Sequence, residues 1–129
     1  MLQLNKIHHI AVICSDYTKS KHFYTKILGL EIMQEIHREE RKSYKLDLAL
    51  NGNYVVELFS FPSPPKRPSR PEACGLRHLA FEVNDIEQTR DFLITNNIPS
   101  ETIRIDQFTD KRFFFISDPD DLPIEFYEK

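Results

Sequence analysis

The chain is short of several things that would place it in familiar classes. It has two cysteines in 129 residues, Cys14 and Cys74, with no CxxC spacing. That excludes a disulfide-stapled secreted scaffold and a cysteine metal knuckle, and points to two free thiols in a cytoplasmic protein. It has no large excess of either charge: 17 Lys and Arg stand against 20 Asp and Glu, a net charge of −3. Neither a nucleic acid nor an anionic membrane has a basic surface to bind, so neither is expected as a partner. No apolar run approaches the roughly 20 residues that a membrane helix needs. The apolar stretch at 7–13 is short, is broken by His8 and His9, and has no cleavage-site pattern, so it reads as a strand and not a leader. Disorder is excluded as well, because 40% of the residues are hydrophobic and only 29% are charged.

What the chain does have is material for one small domain: ten Phe and five Tyr, enough for a real core. It also has an internal repeat. Residues 9–12 (His, Ile, Ala, Val) match 78–81 (His, Leu, Ala, Phe), and the same displacement of 69 carries Asp16 onto Asp85 and Phe23 onto Phe92. Residues 56–59 (Val, Glu, Leu, Phe) match 124–127 (Ile, Glu, Phe, Tyr) at a displacement of 68. One residue of slippage is what a loop of different length produces.

The repeat organises the secondary structure. An apolar, β-branched run at 7–14 predicts a strand. Asp16 suits a helix N-cap, and Tyr17, Phe23, Tyr24, Ile27 and Leu28 recur at helical spacing until Gly29. Strands follow at 31–39 and 43–50, then a turn at 51–53 and a strand at 54–61. The second half predicts a strand at 76–83, a helix at 86–96 capped by Asp85, strands at 100–106 and 111–117, a turn at 118–121 and a strand at 122–128. The fold class is therefore α+β, built from two βαβββ modules. The single domain 1–129 comprises module 1 at about 5–61, a connector at 62–74 and module 2 at about 75–129. Five of the eight prolines fall between 61 and 72, so the connector reads as a stiff spacer. Its Lys66, Arg67 and Arg70 could instead flank a site mouth and attract an anion.

Each module carries one His on its first strand and one Glu on its fourth. Glu57 follows His9 by 48 residues, and Glu125 follows His78 by 47. Strand alternation puts each of the four among apolar or small neighbours. A buried, unpaired carboxylate there would cost several kcal/mol, and a divalent cation removes that penalty. The expected ligand set is His9, Glu57, His78 and Glu125. His8 competes with His9, but only His9 aligns with His78; His22 and His37 have no repeat partner and are expected at the surface.

These motifs resemble the vicinal oxygen chelate superfamily, which includes glyoxalase I, fosfomycin-resistance proteins, extradiol dioxygenases, methylmalonyl-CoA epimerase and bleomycin-resistance proteins. The resemblance rests on 8–12, Asp16, 23–30, 56–58, 77–81 and 118–126, and the stretch 59–81 resembles the bacterial YaeR-like branch. It implies modules that curl as a curved mixed sheet, an incomplete barrel, around one divalent metal per chain (Zn, Ni, Mn or Fe) on the four residues named. A glutamate at the second position, Glu57, resembles glyoxalase I.

The implied activity is that of a glyoxalase I-like lyase or isomerase. Its substrate would be a small α-oxygenated carbonyl compound or its thiol adduct, reacting through an enediolate. Glu125 would be the general base, with Glu57 the weaker candidate. Phe59, Phe61, Phe81, Phe115 and Tyr127 would form apolar walls, and Lys111 and Arg112 would meet an anionic group. The positions that hold glutathione in glyoxalase I differ: Ile13, Phe61 and Cys74 stand there, so the thiol stays open. The alternatives are an Fe(II) dioxygenase, disfavoured by a fourth protein ligand, and a non-enzymatic module that binds a small molecule or metal. A homodimer is the implied assembly.

Overall fold

The computed structural model describes residues 1–129 and divides into two compact units, Met1–Pro65 and Lys66–Lys129. In the first, β1 (Ile10–Cys14) leads to α1 (Tyr17–His22), then β2 (Glu31–Arg38), β3 (Ser43–Leu50) and β4 (Asn53–Ser60). The sheet order is β1-β4-β3-β2, with β1 parallel to β4 and the other pairs antiparallel. The second unit repeats this with β5 (Leu79–Val83), α2 (Ile86–Thr95), β6 (Arg104–Ile105), β7 (Arg112–Ser117) and β8 (Pro123–Glu128), in the order β5-β8-β7-β6. Both are four-stranded mixed sheets, neither closes into a barrel, and the α+β βαβββ reading holds for each.

Local chemistry explains the elements. The Asp16 side chain accepts from the Lys19 backbone N–H at 3.1 Å, and Asp85 accepts from Gln88 at 2.9 Å. Each satisfies one donor that a helix start leaves orphaned. The first helix widens into a π-turn at Phe23–Ile27, where Leu28 N–H reaches the Phe23 carbonyl, and Gly29 at φ +77° ends it. Asn51 and Gly52 both take positive φ in the β3–β4 hairpin, as the tight turn requires. In the second unit Asp121 has φ +68°, a conformation that glycine accepts more readily. Asp118 secures that turn by accepting from the Asp120 and Leu122 N–H groups at 2.9 and 2.8 Å.

One face of each sheet is core. Val12, Leu46, Leu48, Val56 and Leu58 are buried in the first unit; Leu79, Phe114, Ile116, Ile124 and Phe126 are buried in the second. Each fully buried side chain of this size contributes about 1.5–3 kcal/mol. The residues between them in sequence, Ala11, Glu57 and Phe59, then Ala80, Phe115 and Glu125, project to the other face.

Three strands differ from expectation. The first strands begin at Ile10 and Leu79 and not at 7 and 76, because their ladders start at Ile10 opposite Val56 and Leu79 opposite Ile124. Both histidines therefore sit just ahead of a strand. The strand expected at 100–106 shrinks to Arg104–Ile105, because the Glu101 carboxylate takes the Phe115 N–H at 2.8 Å. That side chain occupies a donor the ladder would need.

Candidate metal centre

The repeat places one His–Glu pair in each unit. In the first, the β1–β4 register sets Ala11 beside Glu57, and His9 Nε2 lies 3.7 Å from Glu57 Oε1. In the second, Ala80 sits beside Glu125, and His78 Nε2 lies 3.0 Å from Glu125 Oε2. Both histidine side chains are about one-third exposed, whereas Glu57 and Glu125 are 15% and 13% exposed.

The donor chemistry fits a divalent ion. Two ligands held about 2.1 Å from one ion are about 3.0 Å apart at right angles and about 3.4 Å apart at a tetrahedral angle. The separations of 3.0 and 3.7 Å bracket those values. Each pair offers one imidazole nitrogen and one carboxylate, a mixed N/O set suited to zinc, nickel, manganese or iron. No group of three or more His, Cys, Asp or Glu side chains is gathered in the chain.

The two pairs differ in their surroundings. Around Glu57 the expected apolar setting is replaced by a charged network. Lys45 Nζ lies 2.6 and 2.8 Å from the Asp47 oxygens and 3.3 Å from Glu57 Oε2. The Tyr54 hydroxyl donates to Asp47 at 2.9 Å and to Glu57 at 3.0 Å. Asp47 stands opposite Glu57 in the β3–β4 register; two carboxylates facing each other repel, and Lys45 and Tyr54 offset that repulsion. Bonding to Asp47 raises the Lys45 pKa, and burial followed by its carboxylate acceptors pushes the Tyr54 phenol up. At neutral pH both therefore remain donors.

His9 also stacks on Tyr54, with ring centroids 4.8 Å apart and planes within 9°. Its Nδ1 meets His8 Nδ1 at 2.8 Å, so one of the two must carry the proton. With His9 as that donor, its Nε2 lone pair is left facing Glu57. His8 thus lies behind His9 and away from the carboxylate contact. His22 and His37 are exposed.

Glu125 has a different environment. Its cross-strand neighbour is Phe115, which packs edge-on against His78 at 5.0 Å. His78 Nδ1 is buried without a hydrogen-bond partner. In the sheet register Phe113 and Phe115 occupy the places that Lys45 and Asp47 hold in the first unit.

The remaining expected site residues scatter. Phe59 stacks on Phe61 at 5.8 Å under the Arg38 guanidinium, on the Glu57 side of its strand. Tyr127 lies two residues beyond Glu125, but its hydroxyl is bonded to Asp106 and Thr109. Phe81 is paired with Phe126, on the core side. Arg112 is committed to Glu128 at 2.8 Å and Glu87 at 3.1 Å, and Lys111 to the Lys129 carbonyl at 2.7 Å; both are structural ties at a strand end. Lys45, Asp47 and Tyr54 were not expected. The signal was faint: two opposite charges two residues apart in an otherwise apolar strand.

The connector is more than a spacer. Ser69 is buried, and its hydroxyl donates to the Asp121 carbonyl at 2.6 Å. Arg67 donates from Nη2 to the carbonyls of Leu76 and Arg77, just ahead of His78. Cys14 is buried, Cys74 is exposed, and neither is in a disulfide.

Fold and side-chain pairs together define an α+β protein of two βαβββ modules, each with a His–Glu pair beside its parallel strands. The chain belongs to the glyoxalase/bleomycin resistance protein/dioxygenase superfamily, whose model matches residues 6–126. It is 60% identical to the YaeR protein of Escherichia coli (strain K12) over 129 residues, all of both chains. A glyoxalase family protein from Enterococcus faecalis is 46% identical, with a TM-score of 0.88 over 95% of this chain and 97% of that one. The fold alone is shared with the fosfomycin resistance protein FosX of Listeria monocytogenes, solved as a complex with Mn(II). That likeness has a TM-score of 0.75 at 16% identity over 97% and 93% of the two chains.

Proposed function

We propose that the protein is a metal-dependent lyase or isomerase of the glyoxalase I kind, acting on a small α-oxygenated carbonyl compound or its thiol adduct. One divalent ion per chain is held by His9, Glu57, His78 and Glu125. The observation that carries this reading is the recurrence of the His–Glu pair at equivalent register positions, with donor separations of 3.0 and 3.7 Å. The family supplies a precedent in the Mn(II) complex of FosX. When bound, the cation would stabilise negative charge on the substrate oxygens as a proton is lost beside the carbonyl.

The chain's own residues divide the remaining work. Glu57 is anchored by Lys45 and Tyr54, so it serves as a fixed ligand. Glu125 faces Phe115 and meets no lysine or arginine. It is the carboxylate free to take the substrate proton, the role a general base requires. Phe59, Phe61 and Phe115 supply apolar surface on the two Glu-bearing faces. A homodimer is the proposed assembly, and the exposed Ile32, Met33 and Ile36 on the edge strand β2 give it an apolar surface to cover.

Metal analysis of the purified protein, followed by turnover with Zn, Ni, Mn or Fe on methylglyoxal adducts of several thiols, tests the proposal. About one chelator-removable ion per chain is expected, and Glu125→Gln should cut kcat by roughly 10²–10⁴. If the protein binds no stoichiometric ion and Glu125→Gln alters neither metal content nor turnover, the reading fails.

A further inference from the structure

The second unit contains a cavity of about 140 Å³ between the connector and residues of β6, β7 and β8, far more than the roughly 15 Å³ that one water needs. Four arginines line it, Arg67, Arg70, Arg77 and Arg104, against two acidic residues, Glu72 and Glu101. That excess of positive charge runs against the chain's net charge of −3.

The carboxylates do not consume it. Glu101 is taken by Arg104, at 2.8 Å to Nη2 and 3.2 Å to Nε, and by the Phe115 N–H. Glu72 approaches Arg77 only to 3.8 Å, with both side chains more than half exposed. A pair that open contributes little and leaves Arg77 available. Arg70 makes no hydrogen bond or ion pair. Arg67 is fixed differently: Nη2 bonds the carbonyls ahead of His78, and its Nε is buried with no partner.

We infer that this cavity binds an oxyanion, the carboxylate or phosphate of a small substrate, with Arg70 and Arg77 as its ligands and Arg67 framing it. Planar guanidinium groups engage such oxyanions in pairs of parallel hydrogen bonds. Phe115 lines the cavity and also packs against His78, so a single ring separates the anion from the second half-site. The inference names the substrate class of the proposed enzyme and rests on that reading for its catalytic meaning. Binding of the anion does not require the metal.

The test is calorimetric titration of chelator-treated protein with inorganic phosphate and, separately, malonate, against chloride at equal ionic strength. One of the two anions should bind above the chloride background, and Arg70→Gln should weaken it roughly tenfold. Arg77→Gln should do the same. Arg41→Gln, which removes an exposed arginine in the first unit, should leave binding unchanged. Preference for phosphate identifies a phosphorylated substrate, and preference for malonate a carboxylated one. The inference is overturned if neither anion exceeds chloride, or if Arg41→Gln weakens binding as much as Arg70→Gln. Thermal melts of each variant separate lost binding from lost folding. Because no metal is present, the outcome is independent of whether the four-ligand centre exists.

Discussion

Replacing Lys45 with Met removes the only cation within reach of Asp47 and Glu57 while keeping the length of the side chain. Asp47 is 11% exposed, Glu57 15% and Lys45 24%, so the pair is neither a surface bridge nor fully buried. Surface pairs contribute about 0–1 kcal/mol, whereas breaking a buried one costs about 3–5 kcal/mol. About 2 kcal/mol is expected for this cluster, since the Tyr54 hydroxyl still serves both carboxylates. With about 2.1 cal/mol/K of unfolding entropy per residue, this chain should lose about 7 °C in Tm.

The assay is thermal unfolding followed by circular dichroism on chelator-treated protein. The same measurement after loading with Zn²⁺ or Mn²⁺ should show a smaller loss, because the ion proposed at Glu57 would supply positive charge where the ammonium was. Bonding to Asp47 raises Lys45, so its contribution is full below the lysine's unfolded value and fades only as pH rises through the higher folded value. The gap between wild type and variant should therefore be flat across neutral pH. A Lys45→Met protein that melts with the wild type in the absence of metal would refute the claim that Lys45 offsets the Asp47–Glu57 repulsion.

Two further outcomes are expected. Glu35 is lowered below its ordinary value of 4.5, first by Lys21 at 2.7 Å and then by Tyr17. Its stabilisation is present above that ordinary value and is lost as pH falls through the lower folded one, so the Tm gap to Glu35→Gln should close on acidification and stay constant above neutrality. Asp85→Ala removes the cap of α2 and should cost about 1 kcal/mol, read as a lower urea midpoint at unchanged slope.

The repeat makes the topology legible in the sequence, because a displacement of 69 that later becomes 68 preserves strand order as well as residue type. Asp16 and Asp85 announced both helices, since a capping side chain acts on the backbone three residues ahead. The strand starts were not legible. Ile7 and Leu76 look as strand-like as Ile10 and Leu79, and only a partner's ladder decides where pairing begins. The charged network around Glu57 was hidden for a related reason. Lys45 and Asp47 lie on a different strand, and it is cross-strand register that brings them to Glu57. Spacing along the chain identified the His–Glu pairs, but it says nothing about what stands opposite them. The anchoring of the connector through Ser69 and Arg67 was equally hidden, because both donate to backbone carbonyls whose availability depends on the fold.

The exchange of Lys45 and Asp47 for Phe113 and Phe115 at matched register positions makes the duplicated fold chemically unequal. An ammonium and a phenol stand beside one carboxylate and phenyl rings beside the other. A substrate with two unlike oxygens would therefore meet unlike neighbours at the two carboxylates. In the enzyme proposed here, one orientation of binding is favoured over the same orientation turned by half a rotation.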